Sequence, residues 1–379
     1  FDTRIAPLLR NFHNSTHIHN NRKAFMMINS TKINRKKCLL LCLFLIIGLS
    51  LQGCSQREKT VAKTGFYFDT IITVTLYNTD DDTYLKDCFA LADKFEKKLS
   101  NTVKDSEISK INDAAGAYVT VSDDPLTLIQ DGIHYGEISD GKFDITIGTL
   151  SDLWNFSEIA ENANSESNEV DISCVPSKTE IKEALSHVNY KNIEINGNQV
   201  RLKDPKARLD LGGSAKGNIA DEMRKYLNNK GITTGIISLG GNVLTLGPKE
   251  KDSNYTIGIQ KPFAESGTPL GKLSIKDASV VTSGIYERYF RVDNTLYHHI
   301  LNTKTGYPVE NSLDQVTIIS SISMDGDALS TTCFALGEKE GMKLIEETDG
   351  VEAIFVTHDG TIMTSSGVGK NTDIQFETE

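Results

Sequence analysis

Asp327 and Thr331 stand one helical turn apart, a carboxylate and a hydroxyl on one face, the donor types that suit a hard cation such as Mg²⁺. They belong to Asp327-Ala328-Leu329-Ser330-Thr331, which reads as the opening of a helix, with Asp325 near enough to help. In isolation Asp327 serves equally well as an acid complementing the helix dipole. A second group lies in Tyr297 to Pro308, a strand running into a turn. It carries His298 and His299, which alternate to opposite faces of that strand. Only one can face a pocket, so they are not a paired metal site, and one can act as a general base. The third group is Leu209 to Asp221, with Asp210, the adjacent pair Gly212 and Gly213, Lys216 and Gly217. A strand–turn–helix corner of this kind can aim backbone amides at an anion, with the positive helix end behind them. Taken alone, a glycine pair is more often a tight turn beside a solvated lysine. It fits none of the common nucleotide loops: Lys216 is followed by Gly217 and Asn218, so GxxxxGK[ST] fails, and GxGxxG does not fit. Neither GxSxG nor HExxH occurs.

The elements that must position these groups can be read from periodicity. Phe66 to Tyr77 reads as one strand, and Leu85, Cys88, Phe89, Ala92, Phe95 and Leu99 mark one face of a helix. Shorter helices follow around Ser106–Asn112 and from Pro125 to Ser139. The acidic, Asn- and Ser-rich stretch from Glu158 to Ser173 reads as a surface loop. A helix over Pro176–His187 and a hairpin about Asn196-Gly197 lead to a β-compatible run from Gln199 to Leu211. Ile219, Met223, Tyr226 and Leu227 give the helix leaving the glycine corner an apolar face. Strands are then expected at Gly235–Leu239, Val243–Gly247, Tyr255–Gln260, Leu273–Ile275 and Ala278–Thr282. A helix from Asp327 to about Glu347 precedes a closing hairpin around Asp359-Gly360. Without a clean βαβ repeat the expected class is α+β, or mixed α/β, in a single domain of mixed sheets with flanking helices.

The net charge of −11 argues against a nucleic-acid partner. Residues 1–26 are rich in Asn and His without a period and read as an upstream segment. Residues 27–53, with Lys32, Arg35, Lys36 and Lys37 ahead of the apolar run Cys38–Leu51, read as an export signal. Leu51-Gln52-Gly53-Cys54 resembles a bacterial lipobox, in which the cysteine is lipidated, so Cys54 is expected to anchor the chain to the membrane. Residues 54–64 are then a tether, and 65–379 the folded domain. Cys88, Cys174 and Cys333 are widely spaced, with no CxxC, so no zinc or disulfide framework is expected.

The combination is more specific than its parts. In order the chain carries Phe68-Asp69-Thr70, Gly141-Lys142-Phe143-Asp144-Ile145-Thr146-Ile147-Gly148, Asp210 to Asp221 and Ser238-Leu239-Gly240-Gly241-Asn242. Ser283-Gly284, Tyr286-Glu287-Arg288-Tyr289-Phe290, Tyr297 to Pro308 and Asp327 to Gly337 follow. This set resembles the ApbE family, the FAD:protein FMN transferases, from about residue 65 to the C-terminus. The resemblance implies a Mg²⁺-dependent transfer in which FAD is split at its pyrophosphate. FMN passes to a Thr or Ser hydroxyl of an acceptor protein, and AMP leaves. Carried over by residue, Asp210 and Lys216 contact FAD. The Gly213 backbone, Asp327 and Thr331 hold Mg²⁺. Phe68 and the segment Lys142, Phe143, Asp144 line the flavin site, and Leu301 touches the cofactor. His299 is the histidine expected to take the proton from the acceptor hydroxyl. The family usually modifies subunits of membrane redox complexes or flavodoxin-like domains, and many members are exported lipoproteins, in line with Cys54 and a location on the outer or periplasmic side of the membrane.

Two departures stand out. Asn302-Thr303 replaces the usual Asp-Pro after the histidine. Leu99-Ser100 is followed by Asn101-Thr102 where an aromatic residue often stacks on FAD. Two other readings of the same site are an FAD pyrophosphatase releasing FMN and AMP, and a non-catalytic FAD-binding lipoprotein. Intact Asp327, Thr331 and His299 speak against the latter.

Overall fold

The computed structural model describes residues 59–163, 167–249, 252–371 and 373–379, all within the unit Glu58–Glu379. The expected upstream segment, the export signal and Cys54 lie outside the described residues. Among the described residues, no helix is long and apolar enough to cross a membrane.

The chain opens with β1 (Thr60–Tyr67), β2 (Thr70–Tyr77), α1 (Thr83–Leu99), α2 (Glu107–Asp113), β3 (Val119–Thr120) and α3 (Asp123–Ile138). Then come α4 (Gly148–Trp154), α5 (Phe156–Asn162), α6 (Lys178–Leu185), β4 (Ile193–Asn196), β5 (Gln199–Leu202) and α7 (Ala215–Asn229). Strands β6 (Gly235–Leu239), β7 (Asn242–Leu246), β8 (Tyr255–Gln260), β9 (Pro269–Ile275), β10 (Ser279–Gly284), β11 (Tyr289–Val292), β12 (Thr295–His298) and β13 (Leu313–Ser320) follow. The chain closes with α8 (Ser323–Leu336), α9 (Glu338–Glu346), β14 (Val351–Thr357), β15 (Ile362–Thr364) and β16 (Ile374–Thr378).

An eight-stranded sheet in the order β1-β2-β6-β7-β10-β13-β14-β15 forms the centre, antiparallel at every neighbour. The absence of parallel pairs within it settles the class as α+β. Helices α1, α7 and α8 cover one face, burying Ile72, Val74, Leu76, Ile237 and Leu239 with Phe89, Ile219, Met223 and Leu329. A three-stranded sheet, β16-β9-β8, packs on the other face through Tyr255, Leu273, Val280, Ile319 and Ile354. Burying apolar side chains on both faces supplies most of the drive to fold.

Several boundaries differ from expectation. The folded unit takes in Thr60–Thr64 from the expected tether, because these residues pair with Val74–Tyr77 and Thr73 and the Thr64 hydroxyl meets that of Thr73 at 3.0 Å. The single strand expected over Phe66–Tyr77 is a hairpin, turned by Phe68 and Asp69 at φ 52° and 53°. Two consecutive left-handed residues match the twist of a two-residue hairpin, a conformation that Phe rarely adopts. The Phe68 amide donates to Glu96 Oε1 at 2.7 Å and helps hold the turn. Part of the acidic loop is helical, since α5 runs through Glu158 to Asn162 on the buried Phe156. The run Gln199–Leu211 is strand only to Leu202. The last helix is broken at Gly337, φ 83°, into α8 and α9. Helix α8 opens at Ser323, so Asp327 sits in its second turn rather than at its start.

Candidate functional site

The turns Phe68–Asp69 and Gly240–Gly241 and the segment from Gly284 onward lie at one end of the central sheet, and there Ser283 reaches Ser330 and Thr331 of α8. Asn112 fixes the approach to the glycine corner. Its Nδ2 donates to the Leu209 carbonyl at 3.0 Å and its Oδ1 accepts the Leu209 amide at 2.7 Å, so one side chain stands in for a neighbouring strand. Asp210 follows, its amide on the Ile145 carbonyl and its Oδ1 accepting the Gly212 amide at 2.8 Å. That tight turn leads into α7.

Helices α7 and α8 touch at Gly217. A Cβ there would stand 2.4 Å from the Ser323 carbonyl oxygen and 2.5 Å from Met324 Cα, so only glycine permits the approach. Asp221, a turn further on, accepts the amides of Ser323 and Met324 at 3.1 and 2.9 Å and caps α8 from outside. The close crossing brings Asp327, 4% exposed, onto the start of α7. Its Oδ2 accepts the Gly217 amide at 3.0 Å, and its Oδ1 lies 3.7 Å from Lys216 Nζ. Lys216 also donates to the Gly212 carbonyl at 2.9 Å. Thr331 Oγ1 is 3.3 Å from Ser283 Oγ, which also meets Ser330 Oγ at 2.8 Å. A Cβ built on Gly213 would stand 3.0 Å from the Phe143 ring and 3.7 Å from Thr331 Oγ1. Gly213, Asp327 and Thr331 are therefore gathered about one corner.

This donor set fits a hard divalent cation: one nearly buried carboxylate, one hydroxyl, and backbone oxygens. Among the described residues, no group of three or more His, Cys, Asp or Glu side chains could hold a metal. A cation held here would need further oxygen ligands from water or a bound substrate, as is usual for Mg²⁺.

The two histidines separate as their alternation requires. His298 is buried and edge-on to Phe334, its Nε2 on the Val309 carbonyl at 3.0 Å and its Nδ1 accepting the Ile300 amide at 3.3 Å. Burial pushes its pKa down to about 4, and both ring nitrogens are spent on the fold. His299 is half-buried. Its amide and Nδ1 both reach the Arg288 carbonyl, at 3.1 and 3.3 Å. That bond assigns the proton to Nδ1 and leaves Nε2 with a lone pair. Burial, then the charge of Arg288, with smaller contributions from His298 and Lys216, lower its pKa to about 3. The ring is neutral at pH 7 and faces the electrostatic field of the Lys216 corner.

Other expected site residues divide. Phe68 sits half-buried at the hairpin turn, and Phe143 packs beneath Gly213, edge-on to Tyr135. Lys142 donates to the Ala335 carbonyl at 3.3 Å, against the negative end of α8. Asp144 does not present a free carboxylate. Its Oδ1 accepts the Thr146 amide and hydroxyl at 2.8 and 2.6 Å, and its Oδ2 the Tyr190 amide at 2.8 Å. It ties the segment together from within. Leu301 is buried with Trp154 and Phe290 in a second cluster and pairs through its backbone with Pro308. Asn302 Oδ1 accepts the Lys304 and Thr305 amides at 2.8 and 3.2 Å, doing the turn work of the aspartate it replaces.

Glu287 was not singled out by its sequence. Its Oε1 lies 2.8 Å from where a Gly241 Cβ would be, so the carboxylate comes close over the β6–β7 turn. Desolvation, opposed by Lys216 and Arg288, would push its pKa up to about 7. The side chain is exposed, so solvent screening holds the shift below that ceiling.

An antiparallel α+β domain with a one-carboxylate cation corner, an adjacent lysine and a neutral histidine is equipped for group transfer at a phosphate-bearing substrate. The sequence pattern described as the ApbE family matches residues 68–355. A Klebsiella pneumoniae protein named FAD:protein FMN transferase is 38% identical over 78% of this chain and 88% of its own length. A Treponema pallidum protein of the same name is 30% identical over 87% of this chain and 93% of its own. The crystal structure of the ApbE protein from Thermotoga maritima superposes with a TM-score of 0.72 at 31% identity, covering 81% of this chain and 97% of that one. The chain belongs to the ApbE family.

Proposed function

We propose that this protein splits FAD at its pyrophosphate, transfers FMN to a Thr or Ser hydroxyl of an acceptor protein, and does so with Mg²⁺. The observation that carries the reading is His299: a neutral ring with Nε2 unpartnered among the described residues, beside the corner formed by Lys216 and Asp327. In the reaction the acceptor oxygen attacks the FMN phosphorus, its proton passes to His299 Nε2, and the bond to the bridging oxygen breaks to release AMP. Lys216 faces the negative charge of the pyrophosphate, while the Gly212 and Gly217 amides hold Asp210 and Asp327 in place. The Gly213 backbone, Asp327 and Thr331 would hold Mg²⁺, which when bound neutralises charge on the pyrophosphate oxygens. Asp210 positions the corner, and Phe68 and Phe143 offer apolar surface to the flavin.

Cys54, directly after a signal-like run, supports export and a lipid anchor on the outer or periplasmic side of the membrane. A tethered enzyme there fits an acceptor that is a subunit of a membrane redox complex or a flavodoxin-like domain. The test is incubation with FAD, Mg²⁺ and an exported acceptor candidate encoded nearby, followed by denaturing electrophoresis under ultraviolet light and AMP analysis. Protein-bound FMN with equal AMP supports transfer. Free FMN and AMP at the same rate without acceptor would make the protein an FAD pyrophosphatase.

A further inference from the structure

A hydroxyl oxygen that bonds a cation must turn a lone pair to it, so its own proton has to point elsewhere. Among the described residues, Thr331 Oγ1 has one side-chain partner, Ser283 Oγ at 3.3 Å. Ser283 Oγ also meets Ser330 Oγ at 2.8 Å, and Ser330 Oγ donates to the Asp327 carbonyl at 2.9 Å. Three hydroxyls and one carbonyl thus form a line. It starts on one member of the cation corner, Thr331, and ends on the backbone of another, Asp327.

Counting protons gives the line a direction. Each hydroxyl has one proton and two lone pairs. Ser330 is fully buried, and its proton is spent on the Asp327 carbonyl. Ser283 then donates to Ser330, Thr331 donates to Ser283, and every contact is a hydrogen bond. In the reverse direction Ser330 donates to Ser283 and Ser283 to Thr331. The Asp327 contact is then lost, because Ser330 has no second proton, and the Thr331 proton is turned loose in the corner. The forward direction makes one more bond at a buried position, where polar groups are rarely left unpaired. The sheet holds the line in place, since β10 runs along α8. Val281 Cγ2 stands 2.9 Å from where a Gly326 Cβ would be, and Ser283, two residues on and on the same face, meets Ser330 one helical turn later. Ser283 is itself paired with Val316 of β13.

Resting on the reading of Gly213, Asp327 and Thr331 as the cation corner, we infer that Ser283 and Ser330 are positioning residues for the cation. They draw off the Thr331 proton and leave the lone pairs of that oxygen to the metal. The corner therefore reaches beyond the groups that would touch the cation, to a strand of the central sheet that touches it nowhere.

The test is a titration of the full chain with Mn²⁺ alone, followed by electron paramagnetic resonance. Mn²⁺ shares the oxygen preference of Mg²⁺, and the readout needs no turnover. Ser283→Ala should bind Mn²⁺ about tenfold more weakly than the wild type, as expected for the loss of a partner that orients a metal ligand. Ser330→Ala should also bind more weakly, because Ser283 then turns its proton to Thr331. Ser283→Thr keeps the hydroxyl and should bind as the wild type does. Thermal midpoints near that of the wild type show that the variants are folded. Wild-type affinity in Ser283→Ala overturns the proposal, and wild-type affinity in Ser330→Ala overturns it through the direction of the line. A loss in Ser283→Thr equal to that in Ser283→Ala overturns it too, since the hydroxyl is then not what matters. No Mn²⁺ binding by the wild type, or equal binding by Asp327→Asn, removes the cation corner and the inference with it. The expected losses in a protein that never transfers FMN support the positioning role while overturning the transferase reading.

Discussion

Asp327 and Gly217 are joined by a 3.0 Å hydrogen bond across 110 residues of chain, carboxylate to amide, at the crossing of two helices. The bond orients one carboxylate oxygen and leaves the other to face Lys216 and the site. The cation corner and the helix crossing are thus one piece of structure.

Asp327→Asn keeps the size and the acceptor for Gly217 but removes the charge. FAD turnover should fall about a hundredfold and need more Mg²⁺ for half-maximal rate. A Mg²⁺ titration identical to wild type would remove Asp327 from the cation site.

Gly217→Ala forces a methyl group against the Ser323 and Met324 backbone, which cannot step aside as a side chain could. The overpacking should cost about 2–3 kcal/mol, seen as a lowered denaturant midpoint. An unchanged midpoint would show that the helices can separate freely.

Gly213→Val is a milder intrusion. Its Cβ meets the Phe143 ring at 3.0 Å, and its methyls crowd Thr331. Mg²⁺-dependent turnover should drop while the thermal midpoint moves little. Wild-type turnover would exclude the Gly213 backbone from the metal site.

His299→Asn should lower kcat at least a hundredfold with little change in FAD affinity. Because the ring's pKa is depressed to about 3, it is already unprotonated through neutral pH. The acid limb of kcat/KM should therefore lie well below 6.5. An inflection near 6.5 that vanishes in the variant would contradict a desolvated, cation-flanked ring.

His298 makes a stability prediction instead. Its folded pKa, about 4, lies below the ordinary 6.5, so the unfolded chain binds the extra proton first. The associated stability is present above pH 6.5 and is lost as pH falls from 6.5 toward 4, on the order of 3 kcal/mol. His298→Gln should flatten that part of a stability-versus-pH curve measured by urea unfolding.

Much of this was legible in the residues. The alternation of His298 and His299 already required that one turn inward, and the hydrogen bonds show which. The one-turn spacing of Asp327 and Thr331 put them on a single face wherever the helix began, so misplacing its start did no harm. Asp144 was expected at the flavin site only through the resemblance of its segment, and a motif reports position and not orientation; two donors from Thr146 and one from Tyr190 engage its carboxylate. Glu287 and Asn112 were missed because their roles depend on contacts with Gly241 and Leu209, far along the chain. The hairpin at Phe68–Asp69 was hidden because neither residue is a glycine, the usual signal for such a turn.

The Asn112–Leu209 pairing spans 97 residues, and the Gly217–Asp327 bond 110. Neither can form in a fragment that lacks the other half, so the pocket comes into being only with the complete domain. FAD binding should then report on maturation: a chain interrupted during translation captures no nucleotide, and ligand added to the finished domain raises its global resistance to unfolding rather than that of one region.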